Sequence, residues 1–173
     1  MENAKTVSTS VVINASKDKV WDTVYTRFGE TYLFNPNLEG SHFTTGSSGD
    51  VGCERQCNLD AKTFIRERII NVESLKSFTV DVVGGNMPML KTLRVHFDLK
   101  ALSEQQTKVY VNAEFVAKPA FMGLLMKVPF RNRLTNMLIG LKYFLETGNK
   151  VSKDSFKKVH RKYQALELNQ AFA

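Results

Sequence analysis

Between residues 39 and 117 the sequence takes a period of two, with six successive strand candidates: LEGSHFT, VGCERQCNL, TFIRERIINV, SFTVDVV, TLRVHFDLKA and TKVYVNAEFVA. That is the period of a strand with one face turned inward. The separators TGSSGD, DAK, ESLK, GGNMPMLK and SEQQ are short and rich in turn formers, which favours antiparallel neighbours in sequence order. After Pro119 the period changes to three and four, and Leu134, Met137, Leu138, Leu141, Phe144 and Leu145 fall on one stripe before Gly148. Six strands and one long helix have few ways to bury a sheet face together with a helix stripe. The sheet is expected to curl around the helix.

The start of the chain adds a seventh strand. TVSTSVVIN is rich in β-branched residues. Ser16 then stands where a helix N-cap is wanted, and Val20, Trp21, Val24, Tyr25 and Phe28 repeat at helical spacing, with Gly29 expected to close that helix. A second short helical segment is expected in ETYLFNPNLEG, limited by Pro36. The predicted fold is therefore α+β: a curved seven-stranded antiparallel sheet wrapped around a long C-terminal helix, with two short helices between strands 1 and 2. Pro129 is expected to kink or divide the long helix. Residues 5–148 read as one domain and 149–173 as a basic extension, in which Phe156, Val159, Tyr163 and Leu166 could form a helical turn or two.

The alternation is cleanest in the last two strands. Leu93, Val95, Phe97 and Leu99, then Val109, Val111, Ala113 and Phe115, share one face, while Arg94, His96, Asp98, Lys108, Asn112 and Glu114 occupy the other. One side of the sheet is built for water.

Composition narrows the functional classes. The N-terminal residues MENAKTVSTS lack the pattern of a secretory signal, and the apolar run AFMGLLMKVPF falls short of the roughly 20 residues a bilayer span needs, so the chain reads as cytoplasmic. Cys53 and Cys57, four apart on a strand, would lie about 13 Å from each other at the strand rise. A disulfide needs less than about 7 Å, so both are expected to stay reduced. His42, His96 and His160 are scattered, no metal-ligand spacing exists, and no cofactor is implied. Net charge is +7 but uneven: residues 1–90 hold 9 basic against 11 acidic groups, and residues 91–173 hold 15 against 6. The basic segment from Lys118 to Lys162 suits an anionic membrane surface or an acidic partner, with a solvated helix face as the plainer explanation. Nucleic acid is disfavoured, because aromatic residues are not interleaved with the basic ones.

One residue breaks the strand pattern. Val51, Cys53, Cys57 and Leu59 alternate as an inward face, and Arg55 stands in its middle. If 51–59 and 63–72 pair across Asp60-Ala61-Lys62, then Cys57 faces Ile65, Arg55 faces Glu67 and Cys53 faces Ile69. A slip of one residue would set Arg55 against Arg66, which is unfavourable. Two readings are open: Arg55 and Glu67 form an inward ion pair in the wall of a cavity, or the strand twists or bulges and Arg55 reaches solvent at the rim. Cys53 and Cys57 flank the arginine, which could activate a thiol, but no histidine shares the face and inert wall residues are the simpler reading.

Taken together, the strand and helix order, VVINASKDKVWD near the start, FNPNLEGS after it, VG opening the third strand and GLKYFLE at the end of the long helix resemble the START-like superfamily. This group of polyketide cyclases, dehydratases, lipid-transfer domains and birch-pollen-allergen relatives shares the helix-grip fold. The resemblance spans roughly residues 5 to 148. It implies an internal cavity between sheet and helix that holds a small hydrophobic, lipid- or polyketide-like molecule, and a loop such as GGNMPMLK at the cavity mouth. On the strands, the cavity-lining candidates would be Cys53, Arg55, Cys57, Ile65 and Glu67, then Phe78, Val80, Val95, Phe97, Val111 and Phe115. On the helix they would be Met122, Met126, Leu134, Met137, Leu138 and Leu141. The function expected is that of a carrier or sensor doing no chemistry. The alternative is a cofactor-independent cyclase or dehydratase, with Glu67 as general base and Arg55 polarising a carbonyl.

Overall fold

The structure is a computed structural model that describes residues 4–47 and 49–171, with side chains described as far as Tyr163. Seven strands follow the alternating segments of the sequence: β1 (Lys5–Ile13), β2 (Gly40–Thr45), β3 (Glu54–Asn58), β4 (Phe64–Glu73), β5 (Ser77–Gly85), β6 (Leu90–Ser103) and β7 (Gln106–Ala117). They form one antiparallel sheet in the order β1-β7-β6-β5-β4-β3-β2. Register shifts interrupt β2–β3, β4–β5 and β6–β7. Such bulges bend a strand and increase its twist, which lets a single sheet curl.

The long helix α2 (Met122–Thr147) crosses the inner face and packs chiefly on β1 and β7. Its stripe of Phe130, Leu134, Met137, Leu138, Leu141 and Leu145 is buried against Val109, Val111, Ala113 and Phe115. Phe130 stacks on Phe115 with ring centroids 4.9 Å apart. The helix runs through Pro129 undivided and closes at Gly148, whose φ of 73° is readily adopted only without a side chain. At one end the core is plugged by aromatic rings: Phe78 stacks on Phe97 at 4.6 Å and meets Trp21 edge-on at 5.9 Å.

Three sequence expectations need correction. Val51 is not part of the inward face: it lies in a turn, 56 % exposed, and β3 begins only at Glu54. The first helix, capped by Ser16 as expected, is short. It covers α1 (Lys17–Trp21), widens into a π turn over Asp22–Thr26 and gives way at Arg27 to a 3₁₀ segment, Phe28–Leu33. Gly29 sits inside that segment, where its carbonyl accepts from Ser41 Oγ at 2.7 Å, and does not end a helix. The chain turns early because the Phe28 carbonyl is drawn to the side chains of Thr31 and Arg55.

The C-terminal segment is more than a turn or two: it forms α3 (Lys153–Ala171). Val159 and Tyr163 are buried, and Tyr163 Oη donates to Glu146 Oε2 on α2 at 3.1 Å. The Leu166 side chain lies outside the described residues. No helix among the described residues is long and apolar enough to cross a membrane.

Candidate functional site

The hairpin of β3 and β4 has the register the charge pattern required, with Arg55 opposite Glu67 and Cys57 opposite Ile65. Both charged side chains turn inward. Arg55 is 6 % and Glu67 8 % exposed, so the arginine does not reach the rim, even though β4 carries a register shift beside Glu67. Arg55 Nε donates to Glu67 Oε2 at 2.8 Å, and Nη1 donates to the Phe28 carbonyl at 2.7 Å and to Thr31 Oγ1. The guanidinium carbon lies 3.7 Å above the centre of the Phe28 ring. A buried ion pair is tolerated when its remaining donors are satisfied, and the 3₁₀ segment supplies those acceptors.

Cys57 Sγ donates to the same Glu67 oxygen at 3.3 Å. Burial pushes the Cys57 thiol far above its ordinary value; Arg55 opposes this and Glu67 adds to it. Burial alone would lower the Arg55 pKa, but the adjacent Glu67 carboxylate outweighs it and the guanidinium is raised further. Cys57 is thus a neutral thiol, not a nucleophile. Cys53, also buried and unbridged, donates to the Thr45 carbonyl at 3.2 Å.

Arg55, Cys57, Ile65 and Glu67 line an inner cavity of about 100 Å³ together with Leu93, Val95, Phe97, Leu134 and Met137. Outside it lies a larger open cavity of about 710 Å³, bordered by Met87, Pro88 and Met89 from the loop between β5 and β6, by Met122, Leu125 and Met126 from α2, and by Lys153 and Phe156 from α3. Asn37, Leu59, Met87, Phe130 and Arg133 line both, so the two cavities adjoin.

The sequence-expected residues divide accordingly. Arg55, Cys57, Ile65, Glu67, Val95, Phe97, Leu134 and Met137 meet at the inner cavity, and Met122 and Met126 at the outer one. Cys53, Phe78, Val80, Val111, Phe115, Leu138 and Leu141 belong to close-packed core and line neither. Sequence reasoning missed Asn35, Asn37 and Arg133. Asn35 Oδ1 accepts from the Asn37 backbone at 3.1 Å and from Asn37 Nδ2 at 2.8 Å, and Asn37 Nδ2 also donates to the Arg133 carbonyl at 2.9 Å. These bonds tie the segment after the 3₁₀ helix to α2, a contact that joins residues 96 positions apart. The one local signal was the Asn-Pro-Asn sequence at 35–37, which marks a turn and not a partner.

No protein-family model matches the chain, and no curated protein matches it in sequence. Solved structures do match in shape. Norcoclaurine synthase from Thalictrum flavum superposes with a TM-score of 0.65 at 14% identity, covering 83% of this chain and 87% of its own. Ara h 8.0201 gives 0.61 at 12% identity, with 83% and 99% covered, and major latex-like protein 151 from Panax ginseng gives 0.57 at 16%, with 76% and 97% covered. Likeness at such identities fixes the architecture: this chain has the helix-grip fold that these structures share.

Proposed function

We propose that the chain binds a small hydrophobic molecule, lipid- or polyketide-like, in the adjoining cavities between α2 and the β3–β6 part of the sheet, as a carrier or sensor. The observation that carries this reading is the outer cavity of about 710 Å³ leading to an inner one that ends on Arg55 and Glu67. Ligand pockets are of this order, about 300 to 1,000 Å³, mostly apolar with a few placed polar groups. The inner space has the volume of about three liquid waters and accepts one end of a ligand, not a whole one. The larger body lies among the methionines of the mouth, whose flexible side chains adapt to varied apolar shapes. Asn37 and Arg133, common to both cavities, sit where a polar group on the ligand would be recognised. Residues 5–148 are the binding domain in this reading, and 149–173 borders the mouth through Lys153 and Phe156. The two unbridged cysteines suit a reducing, cytoplasmic setting.

The cyclase or dehydratase alternative draws less support. Glu67 Oε2 is held by Arg55 and Cys57 together, and Arg55 is occupied by Glu67, Phe28 and Thr31. Taking a proton would neutralise that carboxylate and leave the buried Arg55 guanidinium uncompensated, which weakens Glu67 as a base.

Titration with an environment-sensitive fluorescent fatty acid tests the carrier reading. Saturable binding is expected, weakened at least tenfold by Leu134→Trp, which fills the inner cavity, and by Met126→Arg at the mouth. Absence of saturable binding, or affinity indifferent to both substitutions, overturns it.

A further inference from the structure

Phe121, the residue that precedes α2, and the first turns of the helix display four large apolar side chains to solvent: Phe121 is 70%, Leu124 68%, Leu125 65% and Val128 68% exposed. Spacings of three and four place them on one helix face. Single exposed apolar residues are ordinary, whereas a contiguous group marks a surface that another phase or molecule covers.

The surroundings identify what covers it. Lys118, Arg131 and Arg133 are exposed and Lys127 is half-buried around the same turns. From Phe115 to Leu145 the chain contains no Asp or Glu. Among the described residues none of these four cations makes an ion pair. A second copy of the chain would set this cationic rim against its own equivalent, with a net charge of +7 on each side. An anionic bilayer meets both requirements at once: apolar side chains enter the headgroup and acyl boundary while Lys and Arg remain among the phosphates. The mouth of the outer cavity opens beside the same face. Leu125 belongs to both, and Met122, Met126 and the 46% exposed Met89 continue the apolar surface into the cavity.

We propose that Phe121, Leu124, Leu125 and Val128, ringed by Lys118, Lys127, Arg131 and Arg133, form a docking face for an anionic lipid surface, holding the cavity mouth against the bilayer. Exchange of ligand with the membrane rests on the binding function proposed above; the docking itself does not.

The test is co-sedimentation of the full chain with phosphatidylcholine vesicles, with and without about one third phosphatidylserine, at low and high salt. Association is expected with the anionic vesicles only, weakened by salt. Leu124→Asp/Val128→Asp, neither of which lines a cavity, and Lys127→Glu/Arg131→Glu are each expected to lower the partition coefficient about tenfold or more. Fatty-acid binding in solution should be unchanged in Leu124→Asp/Val128→Asp, which separates failure of docking from failure of the cavity reading. Leu124→Trp supplies a readout independent of folding losses: its emission should shift to the blue with anionic vesicles, because Trp21 is already buried. No association at low salt, no emission shift, or a lipid-free dimer dissolved by Leu124→Asp/Val128→Asp overturns the proposal.

Discussion

Arg55 is a charge placed among apolar neighbours, and its cost is contained because Glu67, Phe28 and Thr31 surround it. Removing one partner of a buried pair leaves the other uncompensated. Glu67→Ala is therefore expected to lower stability by about 3–5 kcal/mol in urea unfolding, whereas Arg55→Met/Glu67→Leu together should stay within about 1–2 kcal/mol of wild type. If both variants lose the same amount, the pair is not acting as a desolvated unit. Cys57 gives a pH signature. Its ordinary value is 9.0 and its folded value is raised, by burial first. The contribution is intact below the unfolded value and is lost as pH rises above it, since only the unfolded chain then releases the proton. Stability should fall above about pH 9 by up to about 1.4 kcal/mol per pH unit for this one group, and Cys57→Ala should remove that part of the slope. At neutral pH a thiol reagent should modify Cys57 no faster than the protein unfolds.

The β3–β4 hairpin was legible from its letters because charge and alternation allow one register only, and a slip would place Arg55 against Arg66. In the segment from Phe28 to Leu38 a short helix was legible, but not its type or where it begins. Its 3₁₀ turn exists because the Phe28 carbonyl and Thr31 hydroxyl face Arg55, whose position depends on strands that come later in the chain. The same segment presses on α2 so closely that a Cβ on Gly140 would lie 2.0 Å from the Phe34 carbonyl oxygen. Gly140→Ala is expected to destabilise by about 1–3 kcal/mol despite the roughly 1 kcal/mol gain in helix propensity, and to weaken fatty-acid binding by displacing Asn35 and Asn37. Thermal unfolding and the fluorescence titration measure the two effects. A stabilised Gly140→Ala variant would show that the segment yields freely.

At the scale of the molecule, α3 ties the end of the chain to α2 and to the cavity. Val159 and Tyr163 are buried there, and Lys153 and Phe156 border the mouth. Deleting residues 153–173 is expected to cost about 2–4 kcal/mol while preserving the far-ultraviolet signature of the sheet, and to weaken ligand binding by opening one side of the cavity. A truncated chain with unaltered affinity would assign the mouth to α2 and the β5–β6 loop alone. The sequence by itself determined the strands, the long helix, the antiparallel pairing of successive strands from β2 to β7 and the register that sets Arg55 opposite Glu67, because each follows from periodicity or from neighbours joined by a short turn. That both side chains point inward and that β1 joins β7 was decided by the tertiary structure. Only the tertiary structure decided which inward residues face space and which face one another. Val95 and Phe97 border the inner cavity while Val111 and Phe115, equally apolar on the adjacent strand, are sealed in core. That difference arises because α2 lies chiefly along β1 and β7, filling one half of the curved sheet and leaving the other half open beside β3 and β4.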